Sequence, residues 1–280
     1  MTATVLGHEV AAHYGAADVV ERISVGVLAM GKTPASVSLE DLAPVDEFHI
    51  GGALATDAFL GSVGIREDDH VLDIGCGLGG ASRFAAARYG CRVTGVDLTP
   101  EYVEAGNTLC SWVGLDRQVA LVHGNALATS FEAASFDKAY MLHVGMNIED
   151  KRILAAEAWR LLRPGGLFAI YDVMRVGPGE LTFPVPWASD AATSFVASPD
   201  AYRGALEDAG FQVVAENDRH RFALDFFERL RIAGARADGP PPLGLHILMG
   251  GDAATKVQNM IANISAGLVA PVEIIASKRV

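Results

Sequence analysis

The sequence predicts an α/β fold in which a mostly parallel, seven-stranded sheet carries helices on both faces. Three observations predict it. From residue 70 onward, short apolar runs of strand length alternate with amphipathic helical stretches, the pattern of repeated right-handed βαβ units. The first such run, HVLDI, empties into a glycine-rich turn, GCGLGG, and then a helix. Half of the residues are apolar and a fifth are charged, enough apolar surface for a sheet buried on both faces.

The elements follow in order. Val10, Tyr14, Val19, Val20, Ile23, Val27 and Leu28 are spaced as on one or two amphipathic helices ahead of the sheet. SLEDLAPVDEF reads as a short helix stopped at Pro44, and 51–60 as another helix. HVLDI is strand one, and a helix is expected over 79–89. CRVTGVD is strand two. The helix over 100–113 has Pro100 in its first turn and Thr99 as its cap. VALVHG and FDKAYMLHV are strands three and four. A helix over 149–162 stops ahead of Pro164, and GGLFAIYDV is strand five. MRVGPGELTFPVPWASDAATSF is broken by Pro and Gly and reads as an inserted cap. A helix over 200–209, strand six (FQVVAEN), helices over 220–237 and 254–267 around the break GPPPLG, and a last strand (VEIIASKR) complete the pattern. The expected organisation is therefore an N-terminal helical cap segment (1–62), a ligand-binding core (63–217), a helical insertion (218–268) and the core's last strand (269–280). The first and third of these are expected to cover the carboxyl edge of the sheet.

Charge narrows the partners. Lys and Arg number 22 against 34 Asp and Glu, a formal net charge of -12. Such a surface repels phosphate backbones and anionic lipid heads, so nucleic acid and membrane are not expected partners. No run approaches ~18 uninterrupted apolar residues, and no basic, then apolar leader is visible, so the expected location is cytoplasmic. Cys76, Cys91 and Cys110 have neither disulfide nor metal spacing and read as reduced thiols, with no metal expected. The expected partner is a small molecule, with a homo-oligomer left open.

Gly75, Gly77 and Gly80 match G-x-G-x-x-G, a pattern that does not name its ligand. Asp97 ends strand two about twenty residues on, where a dinucleotide site keeps its ribose-binding acid. Asp73, two residues before Gly75, fits less well, because a carboxylate beside a pyrophosphate repels it. A cationic ligand with a ribose fits both acids. Asp73 would order the turn, Asp97 would accept the ribose hydroxyls, and the glycines would let backbone approach the ligand closely.

These residues carry a resemblance. VLDIGCGLGG resembles motif I of the class I S-adenosylmethionine-dependent methyltransferases, and TGVDLTPEYVEAG their next motif with its ribose acid. HGNALATSFEAASFD resembles the adenine-contacting segment, and LLRPGGLFAI the turn before strand five; the four occur in family order over 71–173. The resemblance implies a Rossmann-like core that binds S-adenosyl-L-methionine through Asp73, Gly75, Cys76, Gly77, Asp97, Leu98, Asn125, Ala126 and Leu142. Asn125 stands where the family often has Asp, and Cys76 reads as a small residue rather than a nucleophile. Beyond that span the chain is loosely similar to a small-molecule group, the glycine/sarcosine/dimethylglycine N-methyltransferases and the ubiquinone- and sterol-type C-methyltransferases. The implied function is methyl transfer to a small acceptor, an amine nitrogen ahead of oxygen or carbon.

Acceptor residues are sought in MLHVGMNIEDK, which follows strand four at the ligand-binding edge. His143 is read either as a general base or as a residue that hydrogen-bonds or packs. Asn147 is read as a polar positioner and Met146 as an acceptor contact. His49 in DEFHIGG is a second catalytic candidate, against a plain loop histidine. Tyr14, Trp187 and His246 complete the acceptor-binding candidates, the first two weighed against packing and His246 against a subunit contact; Trp187 offers a flat face to a cationic or aromatic acceptor. Two other functions stay open: a catalytically silent cofactor-binding subunit, and an NAD(P)-dependent oxidoreductase. Against the latter, Tyr140, Tyr171 and Tyr202 lack the Lys four residues on that a Tyr-x-x-x-Lys pair requires.

Overall fold

The computed structural model describes residues 18–234 and 241–279. The predicted helix around Val10 and Tyr14 lies outside them. The described residues begin with three helices, α1 (Val19–Ala29), α2 (Leu39–Asp46) and α3 (Gly52–Val63). The alternating region follows as β1 (His70–Ile74), α4 (Gly80–Tyr89), β2 (Arg92–Asp97), α5 (Pro100–Trp112), β3 (Val119–His123), β4 (Phe136–Leu142), α6 (Lys151–Leu161) and β5 (Leu162–Arg175). After an irregular stretch come α7 (Pro199–Asp208), β6 (Phe211–Asp218), α8 (His220–Gly234), α9 (His246–Met249), α10 (Ala253–Ser265) and β7 (Val269–Lys278).

The seven strands form one sheet in the order β3-β2-β1-β4-β5-β7-β6. Strands β1 to β5 pair in parallel, and β7 runs antiparallel between β5 and β6. Chain order reverses direction between β1 and β4, so their carboxyl ends flank the crevice where open α/β sheets bind ligands. The centre of the sheet is dry: Leu72, Ala139, Tyr140 and Ala169 have no exposed surface. One face packs under Phe59 and Leu60 of α3 and Ala85 of α4. The other packs under Leu154 and Ala158 of α6 and Leu206 of α7. Each fully buried leucine or phenylalanine contributes about 1.5–3 kcal/mol of burial free energy.

Pro271 inside β7 is tolerated for a geometric reason. In an antiparallel strand a residue's N–H and C=O point to the same side. The Pro271 carbonyl accepts from the Arg219 amide, just beyond β6, whose pairing with β7 ends opposite Val272. The missing N–H therefore falls where no ladder partner remains.

Pro44 departs from expectation, lying inside α2 rather than ending it. A capping box between Ser38 and Asp41 starts the helix, and an ion pair from Asp46 to the buried Arg83 holds its end. That anchoring keeps two residues helical past the proline. Strand five is also longer than predicted, beginning at Leu162, because Phe136 of β4 pairs with it there.

The cap forms from both ends of the chain. Ile23 and Val27 of α1 and Leu42 of α2 share a buried cluster with Tyr102 and Leu109 of α5 and with Leu243 and Ile247 of the late insertion. A second cluster joins Ile50, Met146, Trp187, Phe227 of α8 and Met260 of α10. None of the described helices is long and apolar enough to cross a membrane.

Candidate active site

A cavity of about 630 Å³ lies at the carboxyl ends of β1, β2 and β4, under the cap. Every predicted site residue except Tyr14, which is outside the described residues, lines it. The sheet contributes the β1 and β2 ends, the Asn125 turn and the loop after β4. The cap contributes His49, Trp187, Phe226, Phe227, Leu248 and Met260.

The glycine turn shows why this cavity suits no pyrophosphate. The amides of Gly75 and Cys76 both donate to the Val96 carbonyl, at 2.8 and 3.1 Å, and the Gly79 amide donates to the Cys76 carbonyl at 2.8 Å. The Gly77 amide donates to the Asp97 carboxylate at 2.8 Å. Four turn amides are thus committed, although an anion-binding nest needs them free. Asp46 packs against Gly80, the first residue of α4, and puts an acid where a helix start would greet a phosphate.

Two glycines in this turn are required for different reasons. Gly75 has φ +72°, and a β-carbon there would overlap the methyls of Val144. Gly77 has φ +52°, and a β-carbon there would meet nothing within 4 Å, which leaves its backbone open to the cavity.

Asp97 accepts from the amides of Gly77 on one oxygen and Thr99 on the other, at 2.8 and 2.9 Å. Each oxygen keeps a lone pair for a ligand hydroxyl. Burial pushes its carboxyl above the usual range, and these amides pull it back. Asp73 turns the other way. It accepts from the Ser82 hydroxyl at 2.6 Å and the Tyr140 hydroxyl at 3.0 Å, and burial pushes it up to about 7. It ties the turn to α4 and β4. Asn125 uses its side-chain oxygen on the Leu127 amide at 2.9 Å, which shapes the turn beside Ala126.

The two histidines differ. His143 has φ +54°, in the left-handed region that costs a non-glycine residue energy and marks functional loops. Its Nδ1 lies 3.3 Å from the Tyr171 carbonyl and its Nε2 3.3 Å from the Ile50 amide. The first neighbour only accepts and the second only donates, so the ring is neutral with Nδ1 protonated. Burial pushes its pKa down to about 3, aided by the neighbouring His49. His49 places Nε2 2.8 Å from Glu47 and 3.0 Å from the Thr56 hydroxyl, while its Nδ1 is buried without a partner. Trp187 is buried, with Nε1 donating to Ser194 at 3.0 Å, and His246 sits exposed at the rim.

Below the loop after β4, buried Asp172 accepts from the Tyr202 hydroxyl and, at 2.9 Å, from its neighbour Val173. Lys151 donates to the Phe195 carbonyl at 2.8 Å and stands near Asp172. Gly145 packs against Tyr202 and Asp172, and the Met146 backbone faces Asp172, so this network supports the loop from beneath. Sequence reasoning missed Asp46, Glu47, Thr56 and Tyr171. The only available signal was the nearness of Asp46 and Glu47 to His49 in sequence; Thr56 and Tyr171 reach the site through tertiary packing.

Comparison with known proteins agrees with this geometry. The methyltransferase domain family matches residues 72–170. That stretch belongs to the class I S-adenosylmethionine-dependent methyltransferase domains. The chain is 28% identical over 188 residues to a sterol 24-C-methyltransferase of Kluyveromyces lactis, a match covering 61% of this chain and 51% of the relative. The chain thus spans about half the length of that curated relative. The fold of the chain is shared with geranyl diphosphate C-methyltransferase from Streptomyces coelicolor (TM-score 0.71, 21% identity, 99% of both chains). It is shared as well with the [4+2]-cyclase SpnF (TM-score 0.67, 18% identity, 94% of both chains). The cyclase neighbour illustrates that fold and chemistry are separate matters.

Proposed function

We propose that the protein transfers a methyl group from S-adenosyl-L-methionine to a small, largely apolar acceptor that carries no phosphate. The observation that carries the cofactor half is Asp97, held by two backbone amides at the mouth of the crevice with lone pairs to spare. The residues fit the cofactor: Gly77 leaves a cradle that a β-carbon would fill, and Asp97 stands beside it for ribose hydroxyls. Leu98, Asn125, Ala126 and Leu142 complete the surface against which a purine packs. When bound, the cofactor supplies an electrophilic methyl group on a positively charged sulfur.

The lining supports the acceptor class. Among the described lining residues there is no Lys or Arg, while six carboxylates are present: Asp46, Glu47, Asp73, Asp97, Glu149 and Asp150. Phosphate groups are normally met by Arg, Lys or a free helix start. Trp187, Phe226, Phe227, Leu248, Met249 and Met260 make the cap side apolar. A neutral or cationic acceptor with an apolar body fits, an amine nitrogen ahead of oxygen or carbon. The cap aligns the acceptor and excludes water, and such positioning supplies much of the rate of an in-line transfer.

Calorimetric titration with S-adenosylhomocysteine, with NAD and NADP as controls, tests the cofactor. Micromolar binding of the first alone is expected, and binding of a nicotinamide alone would overturn the reading. Geranyl diphosphate and phosphoethanolamine are expected to be neither bound nor methylated; turnover of either would sink the acceptor class.

A further inference from the structure

The unpartnered nitrogen of His49 bears on how an acceptor is activated. Glu47 and His49 line the cavity, and the fully buried Thr56 closes a hydrogen-bonded set with them from behind. Thr56 donates its hydroxyl proton to Glu47 Oε2 at 2.6 Å. Its oxygen, 3.0 Å from His49 Nε2, therefore only accepts there. Glu47 Oε2, 2.8 Å from the same nitrogen, also only accepts. Both neighbours of Nε2 being acceptors, Nε2 carries a proton, and in the neutral ring Nδ1 is then the nitrogen with the lone pair. The His49 and Glu47 side chains are 5% and 4% exposed. Nδ1 is buried and has no hydrogen-bond partner. A buried polar atom left unpaired is costly, and in a native site it asks for an explanation.

His143 makes the contrast. It holds the opposite tautomer, with both nitrogens engaged by Tyr171 and Ile50. Its work is to position. Together with the Tyr171 hydroxyl, which donates to the Ile50 carbonyl at 2.9 Å, it clips the chain next to His49 onto β4 and β5. A ring in the lining of a ligand cavity, held on one nitrogen by a carboxylate and unpartnered on the other, has the arrangement of a general base.

We propose that His49, through Nδ1, takes the proton from the acceptor's attacking atom, with Glu47 and Thr56 as positioning residues. The proposal rests on the methyltransferase reading and deepens it: the acceptor presents an N–H or O–H. The proton passes from that atom to Nδ1, the bond's electron pair stays on the acceptor, and the imidazolium formed lies against the Glu47 carboxylate. His143, Thr56 and Tyr171 are the other polar or titratable groups facing the ring.

The test uses the full chain saturated with S-adenosylhomocysteine and ¹⁵N-imidazole NMR, with the His49 signal assigned by its loss in H49Q. A protonated Nε2 and a bare Nδ1 near neutral pH are expected; a protonated Nδ1 overturns the proposal. In E47Q the amide can donate to Nε2, so a shift of the proton toward Nδ1 is expected. Turnover is then followed on a panel of apolar amines and phenols. H49Q is expected to lose about 10²- to 10⁴-fold in kcat with KM little changed, the range of a lost general base. E47Q is expected to lose less and to move the pH–rate profile. An H49Q enzyme with wild-type kcat overturns the proposal. Both variants should bind S-adenosylhomocysteine like the wild type; failure of the wild type to bind it would sink the methyltransferase reading instead.

Discussion

The Gly77 amide donates to the Asp97 carboxylate at 2.8 Å, and this bond joins the turn after β1 to the end of β2. It uses an amide that a phosphate-binding turn would keep free, and it aims the carboxylate at the cavity. Asp97→Ala removes both the ligand's acceptor and the partner of two amides. Bonds to a charged acceptor contribute about 1.5–3 kcal/mol each, so S-adenosylhomocysteine affinity should fall at least tenfold in calorimetry. Unchanged affinity would refute the placement of the cofactor.

Gly75→Ala and Gly77→Ala should separate stability from binding. At Gly75 an added methyl meets Val144 in a backbone region that disfavours side chains. The cost is about 2 kcal/mol or more, from the left-handed backbone and from overpacking. At Gly77 the methyl enters open space. Urea denaturation should show the larger loss for Gly75→Ala, and calorimetry a loss of cofactor affinity for Gly77→Ala out of proportion to its smaller loss of stability.

Asp73 makes stability depend on pH in an unusual direction. Burial raises its carboxyl from the ordinary 3.8 to about 7 in the folded protein. Between those values the folded state holds a proton that the unfolded chain releases. Its contribution to stability is therefore complete at low pH and is lost as pH rises from about 4 to about 7. Urea midpoints of Asp73→Asn should fall less between pH 5 and pH 7.5 than those of the wild type. An equal or larger fall would contradict the assignment.

Tyr202→Phe tests the support beneath the loop after β4. It removes the hydroxyl that Asp172 accepts and leaves that oxygen buried with one donor fewer. A loss of about 1–3 kcal/mol is expected by denaturation. Because Gly145 packs against both partners, acceptor KM should rise as the loop relaxes. A variant matching wild type in both would show the network to be dispensable.

Much of the cofactor half was legible in the sequence because it is local. A strand, a glycine turn and a helix lie within twenty residues, and Asp97 ends the next strand. Periodicity and glycine spacing encode such units directly. Asp73 was legible in place but not in partners, since Ser82 and Tyr140 reach it from α4 and β4. Pro44 misled for the opposite reason: a distant ion pair to Arg83 outweighed a local helix-breaking preference.

By itself, then, the sequence determined the alternating elements, the glycine turn, the acid at the end of β2 and the absence of long apolar spans. These follow from local backbone preferences and from the burial of both sheet faces. Tertiary structure decided the rest. It gave both ring nitrogens of His143 partners and left one of His49 without, spent the turn amides on Val96 and Asp97, and closed an apolar cap from residues more than 190 apart in the chain. Hydrogen-bond partnership and burial are properties of neighbours in space, and only folding brings those neighbours together.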